Sequence, residues 1–114
     1  MNSVQTNSAM QVIDRVKEFV MKNYKDPELS LSTAAEYASV STGYLSGLFK
    51  KESGTNFVKY LTDVRMEKCM HLLRTTDMKT YEIAYETGFS NPHYFSISFK
   101  KYTGMSPSEF RAKE

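Results

Sequence analysis

One cysteine, Cys69, is all the chain of 114 residues holds, so no disulfide framework can form within it. That fits a reducing compartment, and the cytoplasm is the expected location. No apolar run approaches the roughly 18 residues that would span a bilayer. The opening "MNSVQTNSAM" lacks the basic-then-apolar order of a secretory signal and reads as a disordered tail over residues 1–7. Net charge is only +2, too small to argue for a nucleic-acid partner by itself. Residues 1–40 carry four Lys/Arg against five Asp/Glu, and residues 41–114 carry eleven against eight, so a mild positive bias lies downstream. A Gly-rich phosphate loop, a nucleophile elbow and a carboxylate pair are all missing, which argues against an enzyme. Cys69 and His71 are two apart and point to different helix faces. A zinc site needs three or four converging ligands, so neither a metal nor a cofactor is expected.

Proline and glycine are also scarce, three and five residues, and most stand where a helix would begin or end. Residues 8–24 repeat apolar positions at helical spacing through Val12, Ile13, Val16, Phe19, Val20 and Tyr24, with Ser8 and Gln11 as a capping box. Residues 31–38 carry a narrow stripe of Leu31, Ala34, Ala35 and Ala38, capped by Ser30 or Ser32. Ser41 caps a third helix with Tyr44, Leu45, Leu48 and Phe49 facing inward, ended by Gly54. A long helix is expected over 56–74, buried through Phe57, Tyr60, Leu61, Val64, Cys69, Leu72 and Leu73. Thr80 would cap a short helix with Tyr81, Ile83 and Ala84. Asn91-Pro92 opens another, with Tyr94, Phe95, Phe99 and Tyr102 inward and Gly104 at its end. "SPSE" at 106–109 starts a terminal helix docked by Phe110. The fold class is therefore all-α.

The chain repeats itself. "YLSGLFKKESG" at 44–54 returns as "YFSISFKKYTG" at 94–104. Upstream the offset is 49, pairing Ala35 with Ala84, Ser39 with Gly88 and Val40 with Phe89, so the second turn holds one extra residue. Short helix, tight turn, second helix is a helix-turn-helix layout, whose second helix can enter the DNA major groove. Two such units, over 8–55 and 75–114, would be joined by the helix over 56–74. At 1.5 Å per residue that helix spans roughly 30 Å, near the ~34 Å of one DNA turn. Lys50, Lys51, Lys100 and Lys101 would flank both second helices, where phosphate contacts add affinity. A Lys pair after a buried Phe is by itself an ordinary solvated face, and helix-turn-helix geometry also occurs in proteins that never touch DNA.

"SLSTAAEYASVSTGYLSGLFKKESGTNFVKYLTDVRMEKCMHLL" and "EIAYETGFSNPHYFSISFKKYTGMSPSEFR" resemble the DNA-binding domain of the AraC/XylS family of bacterial transcription regulators. In the second stretch Ile83-Ala84, Gly88-Phe89, Tyr94-Phe95, Phe99-Lys100-Lys101, Gly104, Ser106-Pro107 and Phe110-Arg111 carry the likeness, which covers about residues 8–113. It implies seven helices in two helix-turn-helix subdomains. It also implies binding to double-stranded promoter DNA, with activation through RNA polymerase. The wording "YLSGLFKKESGTNFVKYLTDVRMEKC" is most similar to output domains of response regulators, which implies a sensor or receiver domain ahead of it.

By position, the resemblance assigns recognition helices at about 42–52 and 92–103 to adjacent major grooves. Base contacts would come from Thr42, Gly43, Ser46 and Gly47, and from Pro92, His93, Ser96 and Ile97. Phosphate contacts would come from Ser41, Tyr44, Lys50 and Lys51, and from Asn91, Tyr94, Lys100 and Lys101. Members of the family often carry Arg where this chain has Gly47 and Ile97, and Arg is the strongest reader of guanine. Direct readout is therefore expected to be modest, with DNA shape and phosphate contacts contributing much of the binding. The alternative is a helical protein-interaction module with weak or no DNA binding.

Overall fold

The chain begins its regular structure with α1 (Asn2–Asn23), then α2 (Leu31–Tyr37) and α3 (Thr42–Ser53). A computed structural model describes residues 2–113, with side chains described from Ser8 onward. Ser8 lies inside α1 rather than capping it, and the tail expected over residues 1–7 falls outside the residues whose side chains are described. Ile13, Val16 and Val20 are buried on one side of α1, and α1 packs on both α2 and α3. Ala34, Ala35 and Ala38 keep the facing surface of α2 low enough for that approach. Leu45 and Phe49 complete this core from α3. Fully burying each such side chain contributes about 1.5–3 kcal/mol. Phe49 meets the edges of Phe57 and Tyr60 at 5.7 and 5.3 Å, geometry that aromatic rings favour.

Among the described residues the helices number seven, with no strand, as the all-α expectation requires. The remaining four are α4 (Phe57–Thr75), α5 (Thr80–Glu86), α6 (Pro92–Thr103) and α7 (Pro107–Lys113). The chain divides into two compact units. The first holds residues up to Asn23 and Glu28–Thr62; the second holds Tyr24–Pro27 and residues from Asp63 on. Helix α4 thus contributes Phe57–Thr62 to the first unit and Asp63–Thr75 to the second.

In the second unit Met66, Cys69 and Leu73 of α4 pack with Ile83, Ala84, Phe95, Phe99 and Phe110. A continuous run of rings, Phe89 to Phe95 to Phe99 to Phe110, has centroid spacings of 5.1, 5.7 and 5.5 Å. The sequence pattern does not announce the cationic braces of this unit. Half-buried Arg65 donates from Nε to the Tyr24 carbonyl (2.9 Å) and from a terminal nitrogen to the Asp26 carbonyl (2.8 Å). Burial lowers its pKa from the ordinary value. Arg111 of α7 likewise donates to the carbonyls of Leu73 (3.1 Å) and Thr76 (3.0 Å) at the end of α4. These bonds satisfy helix-end and loop carbonyls that would otherwise lack partners.

Thr87 is a fully buried polar residue, and its hydroxyl donates to the Ile83 carbonyl (2.7 Å) while lying 3.1 Å from the Cys69 sulfur. Burial, opposed by the Thr87 hydrogen bond, pushes the Cys69 thiol up from 9.0 to about 11. The fold therefore favours the neutral thiol. This stability is fully present below the unfolded value and is lost as pH rises through the folded one. Urea unfolding should show a loss of up to about 2–3 kcal/mol between pH 9 and pH 11 that Cys69→Ala lacks. Equal pH dependence in both proteins would refute this.

Candidate nucleic-acid interface

The two second helices are started by the same device. Ser41 Oγ accepts the Tyr44 N–H (3.1 Å) at the head of α3. Asn91 Oδ1 accepts the N–H groups of His93 (2.9 Å) and Tyr94 (3.1 Å) at the head of α6, where Pro92 is the first helical residue. Both caps satisfy orphan amides of the first turn. Their acceptors are thereby occupied, and what Ser41 and Asn91 retain for a phosphate is donor hydrogens. Gly54 and Gly104 end the helices in left-handed conformation, each N–H donating to the carbonyl of Lys50 or Lys100. Thr80 is the first residue of α5 rather than its cap. The cap position is Lys79, whose N–H donates to the Glu82 carboxylate (2.8 Å).

The turns differ as the repeat implies. Residues 38–41 join α2 to α3, and residues 87–91 join α5 to α6. Both pass through a left-handed residue, Ser39 (φ 61°) in the first and Gly88 (φ 97°) in the second. Val40 and Phe89 then donate to the carbonyls of Ala35 and Ala84, closing the turns alike.

Each second helix buries one face and leaves the other open. On α3, Leu45 and Phe49 are inward while Thr42, Gly43, Ser46, Gly47, Lys50 and Lys51 are exposed. On α6, Phe95 and Phe99 are inward; His93, Ile97, Lys100 and Lys101 are exposed, and Pro92 and Ser96 are half-buried. The structure thus gathers the expected base-reading residues of each unit on one accessible helix face, with the Lys pair at the helix end. Ile97 is 56% exposed, which no packing role explains.

Three tyrosines depart from the sequence reading. Tyr44, Tyr94 and Tyr102 were expected inward, but they are 51%, 63% and 41% exposed. Leu45, Phe95 and Phe99 already fill the cores, and the adjacent positions fall outside that stripe. Tyr44 and Tyr94 thus stand exposed in the first turns of α3 and α6. Tyr102 instead donates its hydroxyl to Asp63 (2.9 Å); burial first, then this bond, pushes its phenol up to about 12.

Gly43 and Gly47 have no internal reason to be glycine, since a Cβ on either would meet nothing within 4 Å. Glycine inside a helix costs roughly 0.5–1 kcal/mol relative to alanine. Gly47→Ala should therefore raise the stability of the first unit by about that amount, read as a higher urea midpoint. A lower midpoint would mean that the backbone there is held by something other than α3 itself.

Among the described residues no cluster of His, Cys, Asp and Glu could hold a metal ion, and no helix is long and apolar enough to cross a membrane. Two capped helix-turn-helix units, each presenting one bare helix face bordered by lysines, define a DNA-binding class of fold. A family model described as a helix-turn-helix domain matches residues 34–113. The chain is 43% identical over 106 residues to the uncharacterized transcriptional regulatory protein YesN of Bacillus subtilis, a match covering 90% of this chain and 29% of that protein. It thus spans less than a third of that relative's length. Among solved structures, the C-terminal domain of the two-component response regulator yesN from Fusobacterium nucleatum superposes with TM-score 0.86 at 40% identity, covering 89% of this chain and 98% of that one. The C-terminal domain of AraT, a response regulator from Geobacillus stearothermophilus, superposes with TM-score 0.88 at 38% identity, covering 90% and 85%. The chain belongs to the AraC-type helix-turn-helix family, the DNA-binding domains of transcription regulators.

Proposed function

We propose that this chain is the DNA-binding output part of a bacterial transcription regulator, with α3 and α6 entering adjacent major grooves of promoter DNA. The observation that supports this most is the duplicated exposed face, capped at its head and bordered by a lysine pair at its end. In this reading Thr42, Ser46, His93 and Ser96 hydrogen-bond to base edges, and Ile97 and Pro92 make apolar contact, Ile97 against a thymine methyl. Gly43 and Gly47 let the α3 backbone lie close to the DNA. Ser41, Tyr44, Asn91, Tyr94 and the four lysines bind phosphates. The likeness to C-terminal domains of response regulators supports a receiver domain ahead of this chain in the full-length protein. Contact with RNA polymerase, a cytoplasmic location and the lack of any enzymatic activity belong to the same proposal.

None of the side chains assigned to bases is an Arg, so the guanine reader of greatest strength is missing from both helices. Selection from a randomised duplex pool should therefore yield a loose consensus in which groove shape and flexible pyrimidine–purine steps matter as much as base identity. A sharply defined consensus with many guanines under both helices would overturn this assignment of readers.

A further inference from the structure

We propose that the exposed face of α1 is a self-complementary seam on which a second copy of this chain docks antiparallel. The inference is independent of DNA binding and rests on one stripe of four residues. Met10, Asp14, Lys17 and Met21 follow one another at spacings of four, three and four, which keeps them on a single helix face and matches the alternation of a coiled-coil seam. The two methionines at its ends are 52% and 46% exposed, although the same helix buries Ile13, Val16 and Val20 on the adjoining flank. The middle of the stripe is indented. Met10, Asp14 and Lys17 border one shallow hollow with Ile13 and Glu52, and Asp14, Lys17 and Met21 border another with the oppositely charged Glu18 and Lys22. Lys17 is half-buried, its amino group 5.5 Å from the centre of the Tyr60 ring, a cation–π contact that a partner's Asp14 would share.

The order of the stripe reads the same from either end once charge is reversed. In an antiparallel pair with its two-fold axis between Arg15 and Val16, Met10 lies opposite Met21 of the second copy. Asp14 then lies opposite Lys17 of the second copy, and both pairs occur twice. This is the isologous pattern of a two-fold dimer, in which one residue meets a second and the second meets the first. A parallel pair would instead set Asp14 against Asp14 and Lys17 against Lys17. Charge complementarity therefore selects a second copy, in one orientation and one register. Four positions per copy make a small interface, so association should appear only at high concentration, or when further domains tether the copies.

The register can be trapped. Met10→Cys and Met21→Cys are made as separate variants of the full chain, and the buried Cys69 stays in place. Under mild oxidation the mixture should give a covalent heterodimer carrying one of each variant, whereas neither variant alone nor the unsubstituted chain does. Cross-linking in one variant alone at the level of the mixture, or none in the mixture, overturns the seam. A second pair reads the charges. Asp14→Lys and Lys17→Asp should each weaken self-association in sedimentation equilibrium, and their mixture should associate more strongly than either alone. A mixture no stronger than its components overturns the charge pairing.

Discussion

Gly88→Ala is expected to destabilise the second unit by about 3 kcal/mol or more, although it adds only one methyl group. Two causes add. The residue sits at φ 97°, where an L side chain is strained by about 1–2 kcal/mol. A Cβ there would also run into the Tyr24 carbonyl and come within 2.6 Å of Arg65 Nε. That carbonyl and that nitrogen are the two ends of the 2.9 Å hydrogen bond holding Tyr24 to α4. The methyl group cannot be accommodated without parting them. Gly54→Ala is the control. It also has positive φ, 75°, but a Cβ there meets nothing within 4 Å, so strain alone should cost it about 1 kcal/mol. Urea unfolding of both variants separates the terms; equal losses would show that contact with Tyr24 and Arg65 contributes nothing.

Replacing Lys50, Lys51, Lys100 and Lys101 together by Gln is expected to lower affinity for duplex DNA by roughly 10³-fold near physiological salt. All four are exposed and stand in the last turns of α3 and α6, so their loss leaves both cores untouched. Each lysine that neutralises a phosphate releases a counterion, and removing four should flatten the plot of log affinity against log salt by about 3–4 in slope. The fold should persist with unchanged helix content. If the slope keeps its value while affinity falls, the lysines act on the protein and not on phosphate. If neither changes, the bare helix faces are not the DNA-binding surface.

Much of this architecture is legible in the sequence because local signals and the hydrophobic period agree. Ser41, Asn91-Pro92 and "SPSE" mark helix starts that the structure keeps, with Ser106 and Glu109 exchanging bonds of 3.1 and 2.8 Å. Those bonds also hold the exposed Glu109 carboxyl below its ordinary pKa. The duplicated phrase locates both candidate reading helices to within a residue or so.

Other features depend on distant partners and leave no local pattern. Tyr44 and Tyr94 look like core because aromatic rings at helical spacing usually are, yet their neighbours fill the space first. Ser39 adopts a left-handed turn without the glycine that would advertise it; only its pairing with Gly88 hints at this. Arg65 reads as a surface charge, but it is half-buried and braces Tyr24 and Asp26, about forty positions upstream. Thr87 is buried because its hydroxyl folds back on its own helix, a use no spacing rule reveals. The exposed faces of α3 and α6 are where the pattern places them, and the base and phosphate roles assigned to them come from resemblance.

The most direct test is a missing-base interference footprint of this chain on a duplex recovered by selection, since removal of any of the four bases marks the positions that each helix reads. Helices α3 and α6 in adjacent grooves require two interfering stretches about one helical turn, roughly 10 base pairs, apart on one face of the DNA. The stretch under α6 should vanish selectively when His93 and Ile97 are replaced by Ala. A single stretch, or two stretches that are not one helical turn apart, would contradict two-helix recognition.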